Sequence, residues 1–463
     1  MKEKLLVWAN LPLSIWGKIN LLKMIFLPKF LYIFHNSPIS IPPKFFASLD
    51  KAQTAFLWAN KPPRFSRAKL RAPITEGGLG LPHWQFYFLA AQVYYVQWWF
   101  SPDLTNPNVP LQATLASSME SLKYIPFRKP LDMQTNHPVI VTPYKAWQKI
   151  LQLYKLKPPI LSPGLPLWGN SYLPNFQQIA PYRVWPHWGI HTLGDVTNAG
   201  ALLPRSQIKH IDTGDLLPWF SYLQLQQAFR HQFQRTIVPF VLTKLETTLR
   251  NPSPKKLITT VYSLLLSTLQ LPFLTAQKAW CQDISELNNE DWEEATDRAY
   301  DYLISTRDKL IQFKIIHKLH LTPLRLYRMG IRDSSQCPKC GAPEADYYHL
   351  MWLCPQIHYF WDQVLDHIQN ATSLPKILDP KICLFGIIDD IIPKSASRTL
   401  FRTLLFYARK CILLQWMAHS PPTVPTWLNL LKALLPLIQL TYTARGCPQK
   451  YDKVWGGWVE AME

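Results

Sequence analysis

The stretch Cys337-Pro-Lys-Cys-Gly-Ala-Pro-Glu-Ala-Asp-Tyr-Tyr-His-Leu-Met-Trp-Leu-Cys354 sets Cys337, Cys340, His349 and Cys354 at Cys-x2-Cys-x8-His-x4-Cys spacing. Three soft thiolates and one imidazole are the donor set of a closed tetrahedral zinc site. Cys-x-x-Cys is a tight turn that aims two sulfurs at one ion. With all four positions filled by protein, no place is left for a metal-bound water, so the pattern predicts a structural Zn2+ and not a catalytic one. The bland alternative is three unrelated buried cysteines and a surface histidine. Donor type and spacing agree, and they favour the metal. His358 is a spare donor beside a set that is already complete.

Outward from this motif the chain reads as helical. Residues 283–301 gather acids, and residues 302–332 reverse the sign with seven Lys and Arg against one Asp. A helix there turns Leu310, Phe313, Ile316 and Leu319 inward and leaves Lys309, Lys314, Lys318 and Arg325 outside. Downstream, Ser395–Met417 has Phe401, Leu404, Leu405, Ala408 and Ile412 on one side and Arg398, Arg402 and Arg409 on another. Ile388-Asp-Asp390 resembles the paired aspartates that hold catalytic magnesium. It has no third carboxylate at a matching position and is read as an interhelix turn. No nucleophile triad stands out.

At the other end, Ile15, Ile19, Leu22 and Phe26 form an apolar-periodic run that Pro28 is expected to interrupt. Phe45, Leu49, Ala52 and Phe56 mark one buried face of a second helix. Between them and an aromatic-rich helix ending at Phe100 lies a cationic loop with Lys61, Arg64, Arg67, Lys69 and Arg71. The first hundred residues carry 12 Lys and Arg against 3 acids. That density favours phosphate contact for the loop. Trp84, Phe88, Trp98 and Trp99 recur at helical spacing and are read as packing residues. Gly77-Gly-Leu-Gly-Leu-Pro82 lacks the lysine and the strand-before, helix-after context of a phosphate cradle, and predicts a turn.

Composition bounds the rest. The 463 residues include 41 prolines and only 16 glycines, which fits short helices cut by proline; the fold expected is mainly α, a multi-module helical protein with a small Cys3His zinc-binding module. Residues 101–180 are proline-rich and weakly periodic, and read as a wrapped or loose connector. Helical signals return over 185–250, notably Phe220–Phe233, and Pro252–Lys256 reads as a linker. The formal charge of +19 fits a polyanionic partner better than a membrane surface. Of seven cysteines, three belong to the motif and the other four (Cys281, Cys383, Cys411, Cys447) lack paired spacing, which points to a reducing compartment, cytoplasm or nucleus. No signal peptide or membrane span is expected.

The run Leu11-Pro-Leu-Ser-Ile-Trp-Gly-Lys-Ile-Asn-Leu-Leu-Lys-Met-Ile-Phe-Leu-Pro-Lys-Phe-Leu-Tyr32 resembles the segment that follows the palm in reverse transcriptases of LINE-type (non-LTR) retrotransposons. Phe56-Leu-Trp58, Lys69-Leu70, Gly77–Pro82, Gln312-Phe-Lys314 through His317, Leu321-Thr-Pro323 and Arg328-Met329 keep that order. The Cys–His motif with Pro355 and Phe360-Trp361 resembles the element near the C-terminus of the same polyproteins. The likeness implies a thumb-like region over 1–105, a wrist-like connector over 106–250, a helical region over 257–332, and a zinc-bearing domain over 333–463. It implies binding of RNA or an RNA–DNA duplex, association with other retrotransposon-encoded protein, and no membrane. Neither the endonuclease nor the catalytic aspartates of the palm are found in this sequence, so no enzymatic activity is expected. Lys61, Arg64, Arg67, Lys69 and Arg71, with Lys314, Lys318, Arg398, Arg402 and Arg409, are the expected nucleic-acid contacts. Two other readings stay open: a zinc-stabilised protein-interaction scaffold, and a truncated retrotransposon frame without a selected role.

Overall fold

The computed structural model describes residues 2–9, 11–100, 105–116, 122, 125–127, 135–156, 162–168, 170, 172–177, 185–233, 242–251, 256–269 and 273–462. The linker expected at 252–256 lies outside these residues except for Lys256. The described chain is mainly helical, as its proline-cut periodicity predicts. The regular strands among the described residues are a two-residue antiparallel pair, with Thr197 opposite Leu202 and Asn198 opposite Ala201.

Contacts group the chain into two units. One comprises Met1–Met24, Gln53–Pro82 and Leu271–Glu463, the other Ile25–Ala52 and His83–Gln270. The four consecutive segments expected from sequence do not coincide with them. Residues 1–105 and 257–332 are each divided between the two units, whereas 333–463 falls wholly within the first. Local periodicity carries no signal for such grouping, because the chain leaves a core and returns to it.

In the second unit the helix Trp84–Phe100 is the axis. It is apolar on nearly every side, and Trp84, Phe88, Trp98 and Trp99 are all buried, so the aromatics are packing residues as expected. The helices Leu27–Asn36, Pro138–Leu153 and Leu257–Ser267 pack around it. Two of its buried polar side chains are tied to neighbouring segments. Gln92 donates to the Phe34 carbonyl at 2.6 Å, and the Trp99 indole donates to Gln112 Oε1 at 2.7 Å. The connector expected over 101–180 contributes more than a tether. Pro138–Leu153 is a 16-residue helix with a buried face, and Leu165, Leu167, Trp168, Leu173 and Phe176 enter a second core with Trp185, Leu193 and Leu225. These residues are spaced irregularly because turns and short 3-10 segments present them, so no helical period reveals them.

Pro28 is a second departure. It stands in the first turn of the helix Leu27–Asn36, where a missing N–H costs nothing, and so it opens a helix after the π turn Leu22–Phe26 instead of ending one.

In the first unit the helix Ser395–Leu414 is central. It was expected to be amphipathic, yet Leu400–Arg409 is buried throughout and only part of its surface meets solvent. The helices Val424–Ala444, Pro448–Glu460, Pro355–Thr372 and Pro380–Phe385 surround it. Trp427, fully buried, ties Val424–Ala444 to the central helix by donating to the Leu404 carbonyl at 3.1 Å. The glycine turn Gly77–Pro82 also belongs here. Gly77 has φ 73°, and its carbonyl accepts from the Tyr300 hydroxyl at 2.8 Å and from His317 Nε2 at 3.0 Å. A Cβ on Gly78 would lie 2.1 Å from the Ala72 carbonyl oxygen, so close backbone approach accounts for the glycines and a turn it is.

Candidate metal centre

The four donors of the motif converge. The ligand atoms of Cys337, Cys340, His349 and Cys354 all lie within 4.8 Å of one another, with Cys337 and Cys354 buried and the other two half-buried. Cys337 Sγ is 3.9 Å from Cys354 Sγ, and Cys340 Sγ is 3.3 Å from His349 Nε2. Metal–sulfur bonds of about 2.3 Å and metal–nitrogen bonds of about 2.0 Å in a tetrahedron put such atoms roughly 3.5–3.8 Å apart. The cluster fits one metal ion.

Local structure explains each position. The Gly341 N–H donates to the Cys337 carbonyl at 2.9 Å and the Cys337 N–H to the Ala342 carbonyl at 2.9 Å, which closes the turn; Gly341 takes φ 73° there. His349–Leu353 is a single π turn, closed by the Cys354 N–H on the His349 carbonyl at 2.9 Å. In an α-helix, residues five apart diverge by about 140°. The wider π turn brings His349 and Cys354 to one side, which is why the x4 spacing works here. Asp346 Oδ1 accepts from the His349 N–H at 2.7 Å and anchors the start of that turn.

The electrostatics are those of sulfurs wanting a cation. Burial pushes the Cys354 thiol up to about 12, against the pull of the Ile357 and Gln356 N–H groups at the start of the helix Pro355–Thr372. Burial also opposes ionisation of Cys340, but the Ala342 N–H and the neighbouring thiols outweigh it and its pKa is lowered. His349 is lowered by burial, with Asp346 pulling the other way, so its imidazole is kept neutral and able to ligate. A bound metal ion stabilises the thiolate form at every sulfur.

The cluster is not a free-standing finger. Lys339, between the two turn cysteines and only 8% exposed, donates to the carbonyls of Gln415, Trp416 and Ala418 at 2.8, 3.2 and 3.2 Å. It thereby caps the carbonyls that follow the central helix Ser395–Leu414. Gln356 returns a bond to the Lys339 carbonyl at 2.8 Å, and His419 Nδ1 lies 3.0 Å from the Pro338 carbonyl. Sequence reasoning missed Lys339 as a clamp and Asp346 as a cap. Asp346 three residues before His349 was the readable signal, whereas nothing local distinguishes Lys339 from a surface lysine.

A second group, His187, His210 and Asp212, also brings its ligand atoms within 4.8 Å. The imidazole rings are parallel, 6.1 Å apart, but His210 Nδ1 already accepts from the backbone N–H groups of Asp212 and Thr213 at 3.2 and 3.3 Å. That lone pair is engaged in holding the turn that follows it.

The ten cations expected to meet phosphate divide sharply. Arg409 is fully buried and donates to the Cys383 carbonyl at 3.0 Å and the Tyr302 hydroxyl at 3.1 Å. Arg402, 6% exposed, bonds Glu294 at 2.8 Å, Asp389 at 3.2 Å and the Gly386 carbonyl at 2.9 Å. Arg398 pairs with Asp389 at 3.2 Å. Lys318 pairs with Asp283, donates to the Ala279 carbonyl at 2.8 Å and sits 4.1 Å over the Trp280 ring. These four hold the fold and are not offered to a polyanion. For Arg398, Arg402 and Arg409 the helical period placed them on one side but could not show that another layer covers it; Lys318 lies beyond the helix Thr306–Ile316, with φ 48°, so the helix expected there ends before it. Asp389, the first of the paired aspartates, is held by Arg298, Arg398 and Arg402 and serves structure, as its turn context implied.

Lys61 and Arg64 remain exposed, and Lys69 and Lys314 half-buried. Arg67 is exposed and Arg71 half-buried on the short helix Arg67–Arg71. The Lys69 pKa is lowered by burial and then by the charge of Arg325; that of Lys314 is lowered by burial and then by Arg64. Cations distant in sequence therefore meet within one unit, and Arg325, passed over as a contact, joins them. No helix among the described residues is long and apolar enough to cross a membrane. No protein-family model matches the chain.

Proposed function

We propose that this chain holds RNA or an RNA–DNA duplex as part of a LINE-type reverse transcriptase machinery, and that its Cys3His cluster carries a structural Zn2+. The observation that carries the reading is the set of like charges gathered in one unit. Lys61, Arg64 and Lys314 make no ion pair among the described residues, and Lys69 and Arg325 repel one another nearby. Uncompensated cations in proximity cost free energy unless a polyanion supplies the missing charge. Zinc follows from the donor set: three thiolates and one imidazole in a closed tetrahedron suit it better than hard oxygen-seeking cations. In this reading the protein grips nucleic acid and contributes no catalytic group of its own, within the cytoplasm or nucleus.

Gel retardation of labelled single-stranded RNA at low salt, with metal analysis of the same preparation, tests the proposal. One zinc per chain and RNA affinity falling steeply with salt are expected. Absence of retardation at low salt contradicts it.

One observation favours the scaffold reading instead. Tyr327, Met329, Ile331, Leu353 and Tyr359 are each more than half exposed in the region of the metal module. Apolar groups of this size left in water mark protein contact surfaces when they are contiguous. Association with a protein partner that ignores ionic strength would favour that reading.

A further inference from the structure

A cavity of about 280 Å3 opens among Ile15, Leu57, Trp58, Ala59, Lys61, Arg64, Phe65, Leu310 and Lys314. Its two chemistries are segregated by residue type. Lys61, Arg64 and Lys314 supply three positive heads without an ion-pair partner among the described residues, and no acid lines the cavity. The remaining lining residues are apolar, two of them aromatic. Phe65 is half-buried and held edge-on between Trp58 and Phe313, with ring centroids 5.3 and 5.5 Å away. The wall is thus preset before any ligand arrives.

The mouth of the cavity is held in a costly conformation. Ala59 and Asn60 follow the helix Pro43–Trp58 with φ 49° and 62°, and the Lys61 N–H closes the turn on the Trp58 carbonyl at 2.9 Å. Asparagine adopts the left-handed region readily; alanine does so only under constraint. This left-handed pair, strained at Ala59, sets the direction in which Lys61 and Arg64 leave the helix, toward Lys314 on the helix Thr306–Ile316. Strain at a ligand mouth is a recognised use of such backbone.

Building on the nucleic-acid reading above, we propose that this cavity seats one unpaired nucleotide of a single strand, its phosphate among Lys61, Arg64 and Lys314 and its base against Phe65, Leu310 and Ile15. The size decides between strand forms. Ligand pockets begin near about 300 Å3, which suits one nucleotide and is far too small for a base pair. A duplex keeps its base faces stacked and offers only backbone and base edges, so it reaches the cations but cannot lay a base face on the apolar wall without unstacking it. A free strand satisfies both halves at once, by charge and by base–aromatic contact. The loss of burial energy for Lys314 is eased in the same step, because a phosphate supplies the counter-charge that Arg64 denies it.

The experiment uses the full, zinc-loaded chain and a fluorescent 12-nucleotide RNA. Competitors are AMP, ribose 5-phosphate, inorganic phosphate and a duplex of equal length. AMP is expected to compete at least tenfold better than ribose 5-phosphate, and ribose 5-phosphate better than phosphate. The single strand should outcompete duplex at least tenfold. Lys314→Gln and the exposed-site variant Arg64→Gln should each weaken AMP at least fivefold, with the melting temperature unchanged for Arg64→Gln. Equal competition by AMP and inorganic phosphate overturns the proposal, since the cations would then be an adventitious anion site only. So does RNA binding that is strong but equal for single strand and duplex and unmoved by Arg64→Gln; that result leaves the broader nucleic-acid reading intact. Failure of the wild-type chain to bind any RNA defeats the broader reading, and AMP binding in the same sample shows separately whether the cavity takes a nucleotide.

Discussion

Arg402 and Arg409 on the central helix and Lys61 and Arg64 after the helix Pro43–Trp58 carry the same formal charge and do opposite work. The arginines are buried and meet two carboxylates, two carbonyls and a tyrosine hydroxyl. The other pair is exposed, lacks any ion-pair partner among the described residues, and lines a cavity with apolar walls. Charge density along a sequence cannot separate these roles. What separates them is the number of polar partners the fold has already assigned. Cations already met by acids, carbonyls and a hydroxyl specify the fold; cations without such partners are where a polyanion gains by arriving.

The metal cluster belongs with the first class, and breaking it should have the largest consequence. Cys337→Ser with Cys340→Ser removes two of four ligands and leaves the others unable to hold an ion. In the zinc reading proposed above, a structural metal contributes on the order of 10 kcal/mol to the fold it organises. The double variant should therefore lose its equivalent of metal by elemental analysis, and circular dichroism should report loss of cooperative melting. Metal stoichiometry unchanged in that variant would mean the ligands are others.

Arg402→Ala should come next. It leaves Glu294 and Asp389 facing each other with less counter-charge and the Gly386 carbonyl bare. Removing one member of such a buried network costs about 3–5 kcal/mol. Urea unfolding should record that loss, whereas Arg64→Gln should stay within about 0.5 kcal/mol of wild type, as surface changes do. Similar losses for both variants would erase the distinction drawn between the two classes.

His317 gives a smaller, pH-dependent test. Burial, then the nearby Lys69 charge, lower its pKa to about 4, although the Gly77 carbonyl works to raise it. The ordinary value near 6.5 applies to the unfolded chain, which takes up the proton first as pH falls. Stability from neutral His317 is therefore complete above about pH 6.5 and is lost progressively down to pH 4, by about 3 kcal/mol. His317→Gln keeps a donor for Gly77 and should flatten that part of the profile. Comparing the two proteins cancels the protonation of the thiolates. Parallel profiles would show that His317 is not held neutral in the fold.

How legible each part was follows from how local its cause is. The metal quartet spans one short stretch, and both its turns are written in that stretch, so spacing alone revealed it. The aromatic helix Trp84–Phe100 was equally clear because its apolar run continues for almost five turns without a proline or glycine. The covering of Arg402 and Arg409 was not, since it depends on Glu294, Cys383 and Tyr302 returning from elsewhere in the chain. The cavity was hidden for the same reason: Lys61 and Arg64 were legible as a loop, but Lys314 joins them only through packing of the helices Ile15–Leu21 and Thr306–Ile316. Lys339 shows the limit most plainly. It stands inside the best motif in the sequence, and its burial against three carbonyls is invisible without the Ser395–Leu414 helix.

The most direct test is the salt dependence of single-stranded RNA binding for wild type and for the combined variant Lys61→Gln, Arg64→Gln, Lys314→Gln. Each phosphate contact contributes about 0.7 to the slope of log affinity against log salt. The wild-type line should be steep, and the triple variant, which loses the one phosphate these cations hold, about 0.7 shallower. A slope that does not move when these three charges are removed would contradict the account.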